Sequence, residues 1–246
     1  MSLSKITLGE AVKKQYKYKL FSYYDAIKSL LIIQLIAIVF SFIGSGGSST
    51  SDMNVTISVD TYSSDVVFFF TVLWMFITAI LLTTRAYRYE DFSFITNRIS
   101  SQLANTLYLL TGAAAGTITT VLSTFLLYVI FYFTNSSETI FGYSAAGSPG
   151  ELMLAAGGTF FYLLAAAALG YFLGVLTQIN RLLGFFAAAI LLFLPMFLGQ
   201  FYIFNQISTF YFQESSLLLF GLKILLSALL LFCAAILLLN KREVRV

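Results

Sequence analysis

Of 246 residues, 59% are apolar, 10% are charged and none is histidine. A soluble domain of this length carries roughly a quarter charged residues, so a water-exposed surface cannot be built from this chain, whereas a lipid-exposed one can. The net charge of +3 is too small for a nucleic-acid partner, and the basic residues sit close to apolar runs, as membrane-flanking charges do. One cysteine, Cys233, excludes a disulfide framework and a thiolate metal cluster; deep in an apolar run, it reads as a small buried hydrophobe.

The chain opens on a mixed basic stretch without a small-residue cleavage site, so the first apolar run reads as a retained span rather than a signal peptide. Within residues 5–25, Val12, Tyr16, Leu20, Tyr23 and Tyr24 recur at helical spacing, with lysines mostly between them. This pattern predicts a basic helix lying in the inner membrane interface, the alternative being a basic tail that only sets topology.

Apolar runs long enough to cross roughly 30 Å of hydrocarbon follow. They predict an all-α polytopic membrane protein with six transmembrane helices, at about 27–43, 66–84, 104–133, 152–176, 183–203 and 216–239. Between the first two lies a Gly/Ser/Thr-rich loop whose residues 55–59 alternate apolar and polar, the pattern of a short hairpin strand. The third span is too long for a perpendicular crossing and must tilt, kink or protrude. Pro195 lies inside the fifth, where its missing amide kinks or breaks a helix. Residues 200–214 are rich in Phe and Tyr, with Glu214 their only charge. Two readings stand for 195–214: a re-entrant segment covered by protein, or an aromatic belt on the outer surface.

Charge distribution orients the chain. Of the fourteen Lys and Arg residues, thirteen fall on the side shared by the N-terminal segment, the loop after span two, the Arg181 turn and the C-terminal segment. The opposite loops carry no Lys or Arg but hold Asp52, Asp60, Asp65, Glu138, Glu151 and Glu214. Basic residues concentrate in cytoplasmic loops, which places both termini in the cytoplasm of a cell-membrane, multi-pass protein and requires an even number of spans. The remaining cation, Lys223, lies about 10 Å into span six. It reads either as a charge facing the translocation path or bundle interior, or as a lysine snorkelling to the outer headgroups.

Gly112 and Gly116 lie four apart, with Thr120 and Thr124 extending their face toward the bundle interior; Gly170 and Gly174 form a second pair. Small residues at this spacing let helix backbones approach closely, so both pairs read as helix packing, within the chain or between two subunits.

The loop after span two contains Arg88, Glu90, Asp91, Phe94, Asn97 and Arg98 among aromatic and aliphatic residues. A short amphipathic helix over about 91–101 accounts for Phe92, Phe94 and Ile95, either partly buried against another protein or lying at the interface against lipid headgroups only. Aromatics supply anchor area and the charges set register. Catalytic chemistry has no foothold. There is no nucleotide-binding loop, no histidine for a zinc site or a catalytic triad, and no acidic residue in the spans for an ion-coupled carrier.

This layout resembles the ABC-2-like permeases, and in particular the six-span permease subunits of Gram-positive bacterial exporters whose ATPase is a separate polypeptide. The resemblance covers almost the whole chain, 1–246, as one permease domain. It implies that 7–24 is the elbow helix, that 90–101 is the coupling helix fitting a cleft in the ATPase, and that 195–214 forms short outer re-entrant helices. It further implies a second permease subunit, identical or paralogous, lipid surroundings, no cofactor on this chain, and ATP and Mg bound by the partner ATPase. The exported substrate would be a peptide, a toxin or a lipid-like molecule. The competing reading is a non-transporting membrane immunity or peptide-binding protein.

Overall fold

The computed structural model describes residues 7–43, 46–52, 55–61, 64–84, 87, 98–134, 149–180, 182–184, 186–187, 189–190, 206, 209–211 and 216–240. Its elements are α1 (Leu8–Ser22), α2 (Tyr24–Ile43), β1 (Gly46–Asp52), β2 (Val55–Thr61), α3 (Asp65–Leu82), α4 (Arg98–Thr134), α5 (Pro149–Ile179) and α6 (Leu217–Asn240). Five of the helices, α2 to α6, are long and apolar enough to cross a membrane. The expected fifth span at 183–203, with Pro195, lies mostly outside the described residues.

The sequence explains the boundaries. Thr7 starts α1 through a capping box: its hydroxyl accepts from the Glu10 amide and the Glu10 carboxylate accepts from the Thr7 amide, which satisfies two donors at the helix start. The helix ends at Tyr23, whose amide still bonds back to the Lys19 carbonyl, and α2 begins one residue later. Between α2 and α3, β1 and β2 pair antiparallel from Gly46↔Thr61 to Asp52↔Val55, and the alternating residues 55–59 lie within β2.

The third expected span is longer than its apolar run. α4 is one continuous helix of 37 residues, about 55 Å at 1.5 Å per residue. Residues 98–101, expected to end a separate short helix, form its first turn instead; residues 91–97 lie outside the described set.

Side-chain burial is inverted relative to a soluble bundle. Leu31, Ile32, Leu35, Ile36, Val39 and Phe40 of α2 are exposed, as are Leu218, Leu222, Leu226, Leu229, Leu230 and Leu237 of α6. Water would not tolerate apolar faces of that extent, but lipid does. The chain is a multi-pass membrane protein. Cys233, expected to be buried, lies on the exposed face of α6: the buried positions are Phe220, Ile224, Ala228, Phe232 and Ala235, and a residue one step beyond Phe232 turns about 100° away from that stripe.

At the centre stands α5, buried nearly all round from Leu163 to Val175 and packed most closely on α3 and α6. A Cβ on Gly170 would come within 2.5 Å of the Phe76 carbonyl oxygen, so two backbones touch there, and one on Gly174 would collide with the Thr83 side chain. A Cβ on Gly116 would come within 3.0 Å of Leu163, whereas one on Gly112 would make only ordinary contacts with Met75 and Trp74. The paired residues also give direction. Phe68 meets Tyr162 and Phe76 meets Gly170, so α3 and α5 run parallel. Phe161 and Tyr162 meet Phe220 and Tyr171 meets Phe232, so α5 and α6 run parallel as well. α2 and α4 run the other way, with Trp74 on Ser29 and Gly116 near Thr71. One end of the bundle carries the hairpin and the starts of α3, α5 and α6; the other, the basic end, carries α1 with Lys13, Lys14, Lys17 and Lys19.

Gly170→Leu is expected to destabilise the fold by about 1–3 kcal/mol or more through forced separation of α3 and α5, while Gly158→Ala, which meets nothing within 4 Å, changes little. Thermal unfolding of the two variants in detergent measures this; equal melting temperatures would contradict the contact.

Candidate functional site

α1 does not lie on the bundle by an apolar stripe alone. Its buried positions are Val12, Gln15 and Lys19, with Tyr23 at its C-terminal end, whereas Leu8, Phe21 and Tyr24 are exposed. The lysines divide accordingly: three stay at the surface, and Lys19 is 1% exposed. A buried ammonium requires strong acceptors. Lys19 Nζ donates to Asn105 Oδ1 near the start of α4, and Asn105 Nδ2 faces the Tyr171 hydroxyl of α5 at 3.5 Å. Three elements thus meet on one polar chain at the basic end. Beside it, the Tyr108 hydroxyl donates to the Tyr23 carbonyl at 3.3 Å, and Tyr23 packs edge-to-face on both Tyr87 and Tyr108. The expected aromatic face of α1 is therefore split: Tyr23 turns inward, and Tyr24 turns outward.

A second polar group lies at mid-bundle. Gln34, 3% exposed, directs Nε2 at Thr71, Thr119 and Thr120 hydroxyls at 3.1, 3.0 and 3.4 Å. Each of those hydroxyls also donates to a carbonyl of its own helix, Val67, Ala115 and Gly116 in turn. Their lone pairs are what remain for Gln34, and so the amide presents its NH2. The group fixes α2, α3 and α4 in register.

The residues singled out in the sequence fall in several places. Thr120 is buried in the Gln34 group, and the Thr124 hydroxyl bonds to the Thr120 carbonyl. Gly112, Gly116, Gly170 and Gly174 all face other helices of the same chain. Lys223, near the hairpin end of α6, donates to the Phe210 carbonyl at 3.1 Å and stands 3.8 Å over the Phe210 ring; its ammonium is engaged by the segment before α6. Arg98 begins α4. Arg88, Glu90, Asp91, Phe94 and Asn97 lie outside the described residues.

Lys19, Gln34 and Asn105 were not picked out from sequence. Their signal was present: Gln15 and Lys19 continue the helical stripe begun by Val12, and Gln34 is the lone amide in an apolar run. Among the described residues no group of three His, Cys, Asp or Glu side chains could hold a metal ion. Comparison with known proteins finds no matching family, no matching curated protein and no matching solved structure.

The Lys19–Asn105 contact makes a two-residue prediction. Asn105→Leu removes an acceptor from a buried charge and should cost about 1.5–3 kcal/mol. Adding Lys19→Met should recover part of that loss, because the charge is gone. Unfolding of the single and double variants in detergent gives the coupling; strict additivity would mean that the contact carries no energy.

Proposed function

We propose that the chain is the membrane-spanning subunit of an ATP-driven exporter of the ABC-2-like kind, working with a separate cytoplasmic ATPase and a second permease subunit. The observation that carries the reading is α4. A rod of about 55 Å overreaches the roughly 30 Å hydrocarbon layer, and it begins at Arg98, where the basic loop after α3 ends. A push on that loop would enter the bundle without passing a hinge. The Lys19–Asn105 contact ties α1 to the same rod, so the elbow and the loop would move together.

The topology adds support. α5 and α6 run parallel, so the chain from 180 to 216 has to return from the basic end to the hairpin end. A sixth crossing at 183–203 satisfies this requirement, and with it the chain has the even number of spans that the charge distribution demands. On this reading the basic end is cytoplasmic, α1 is the elbow helix, and residues 90–101 meet the ATPase, which alone holds ATP and Mg. ATP binding closes the partner, the start of α4 shifts, and the interface between two permease subunits opens outward for a peptide, toxin or lipid-like substrate.

Reversing the charge at Arg98, as Arg98→Glu, should leave the protein in the membrane and uncouple ATP hydrolysis from transport. The test is co-purification with an ATPase encoded alongside it, with hydrolysis and export followed in the same preparation. Transport unchanged at normal expression would overturn the coupling assignment. Recovery of the chain alone, from cells that contain the ATPase, would favour a non-transporting immunity or peptide-binding protein.

A further inference from the structure

At the basic end, a recess of about 180 Å³ opens between α2, α3 and α4. We propose that it binds the ethanolamine ammonium of a zwitterionic phospholipid. Its walls are the rings of Tyr23, Tyr87 and Tyr108, with Ser29, Thr78 and Asp25 among the polar lining residues. Tyr23 meets Tyr87 at 4.7 Å and 81°, and Tyr108 at 5.7 Å and 89°, so the Tyr23 ring stands steeply to both of its neighbours and forms a corner with them. Such aromatic corners attract cations through the negative ring faces.

Two observations narrow the cation to a primary ammonium. Thr78 is 9% exposed, lines the recess, and its hydroxyl has no hydrogen-bond partner among the described residues, unlike Thr71 two turns earlier, which bonds to the Val67 carbonyl. A nearly buried hydroxyl oxygen suits an N–H donor, which a quaternary ammonium lacks. Ser29 is already committed, accepting from Trp74 Nε1 and donating to the Ala26 carbonyl. At the lip, Asp25 and Lys28 form an ion pair of 2.9 Å, with side chains 89% and 57% exposed. That dipole complements a zwitterionic headgroup, the ammonium turned to Asp25 and the phosphate to Lys28.

Depth fits a lipid rather than a soluble amine. Phe21 and Tyr24, both exposed, flank the α1–α2 corner, and exposed aromatics mark the headgroup level. From Leu31 onward α2 presents the aliphatic face to which acyl chains would pack. Lys19 of α1 is engaged by Asn105 and does not line the recess. The site is independent of whether the protein exports anything.

The full-length protein, delipidated in mild detergent, would be given an equimolar mixture of dioleoyl phosphatidylethanolamine, phosphatidylcholine and phosphatidylglycerol, and its bound lipid read by native mass spectrometry. Phosphatidylethanolamine is expected in about tenfold excess over each of the others. The near-isosteric Thr78→Val, and Asp25→Asn at the exposed lip, should each reduce that excess to about threefold or less, while the distant Lys223→Gln leaves it unchanged. Equal retention of the three lipids, or an unchanged excess in both Thr78→Val and Asp25→Asn, would overturn the proposal. Displacement of the lipid by millimolar free ethanolamine would overturn the lipid assignment in favour of a soluble amine.

Discussion

The close approach of α5 to α3 organises this bundle. Lipid tails are as apolar as the helix surfaces, so association inside a bilayer lacks the drive that water supplies and rests on packing and hydrogen bonds. Gly170 lets the two backbones come together at the Phe76 carbonyl, and Gly174 makes room for the Thr83 side chain one turn later. Around that contact α4 and α6 close on the remaining faces of α5, and Leu163, Ala167, Tyr171 and Val175 become the core. A larger residue at Gly170 would push apart not one pair of helices but the centre on which the others rest.

Polar groups then set the register that apolar packing leaves loose. A leucine face slides along another with little change in energy, whereas an amide or ammonium out of reach of its partner in an apolar medium costs several kcal/mol, roughly. Gln34 with its three threonine hydroxyls holds α2, α3 and α4 at mid-bundle. Lys19 with Asn105 holds α1 against α4 at the basic end, and Lys223 with Phe210 engages the segment before α6 at the other. Each is placed at a junction of different elements, where it specifies one arrangement.

The basic end gathers more of this polar architecture than any other described part of the molecule. The chain enters the bundle there through α1, α4 starts there, and the tyrosine-lined recess opens between them. For an exporter subunit this is the end at which a partner's motion would arrive, and a lipid headgroup in the recess would bear on the same helices.

Much of this was legible in the residues. The membrane class followed from composition, since no water-facing surface can be made with so few charges. The positions of α2, α3, α5 and α6 followed from apolar runs of spanning length, and α1 from its helical stripe. The length of α4 was misread because Ile99 to Leu103 are mixed in polarity, and hydropathy stops where the apolar run stops while a hydrogen-bonded helix does not. Nothing in the sequence sets Lys19 apart from the other lysines of α1, and Cys233 reads as buried where it is exposed, because composition cannot say which face of a helix finds a neighbour. Burial depends on how α1 is rotated against α4 and α6 against α5, and those rotations are set by contacts between residues distant in sequence. Sequence alone determined what kind of medium the chain inhabits and where its helices begin to be apolar; only the tertiary structure decided which polar side chains meet, because a hydrogen bond needs both partners in place.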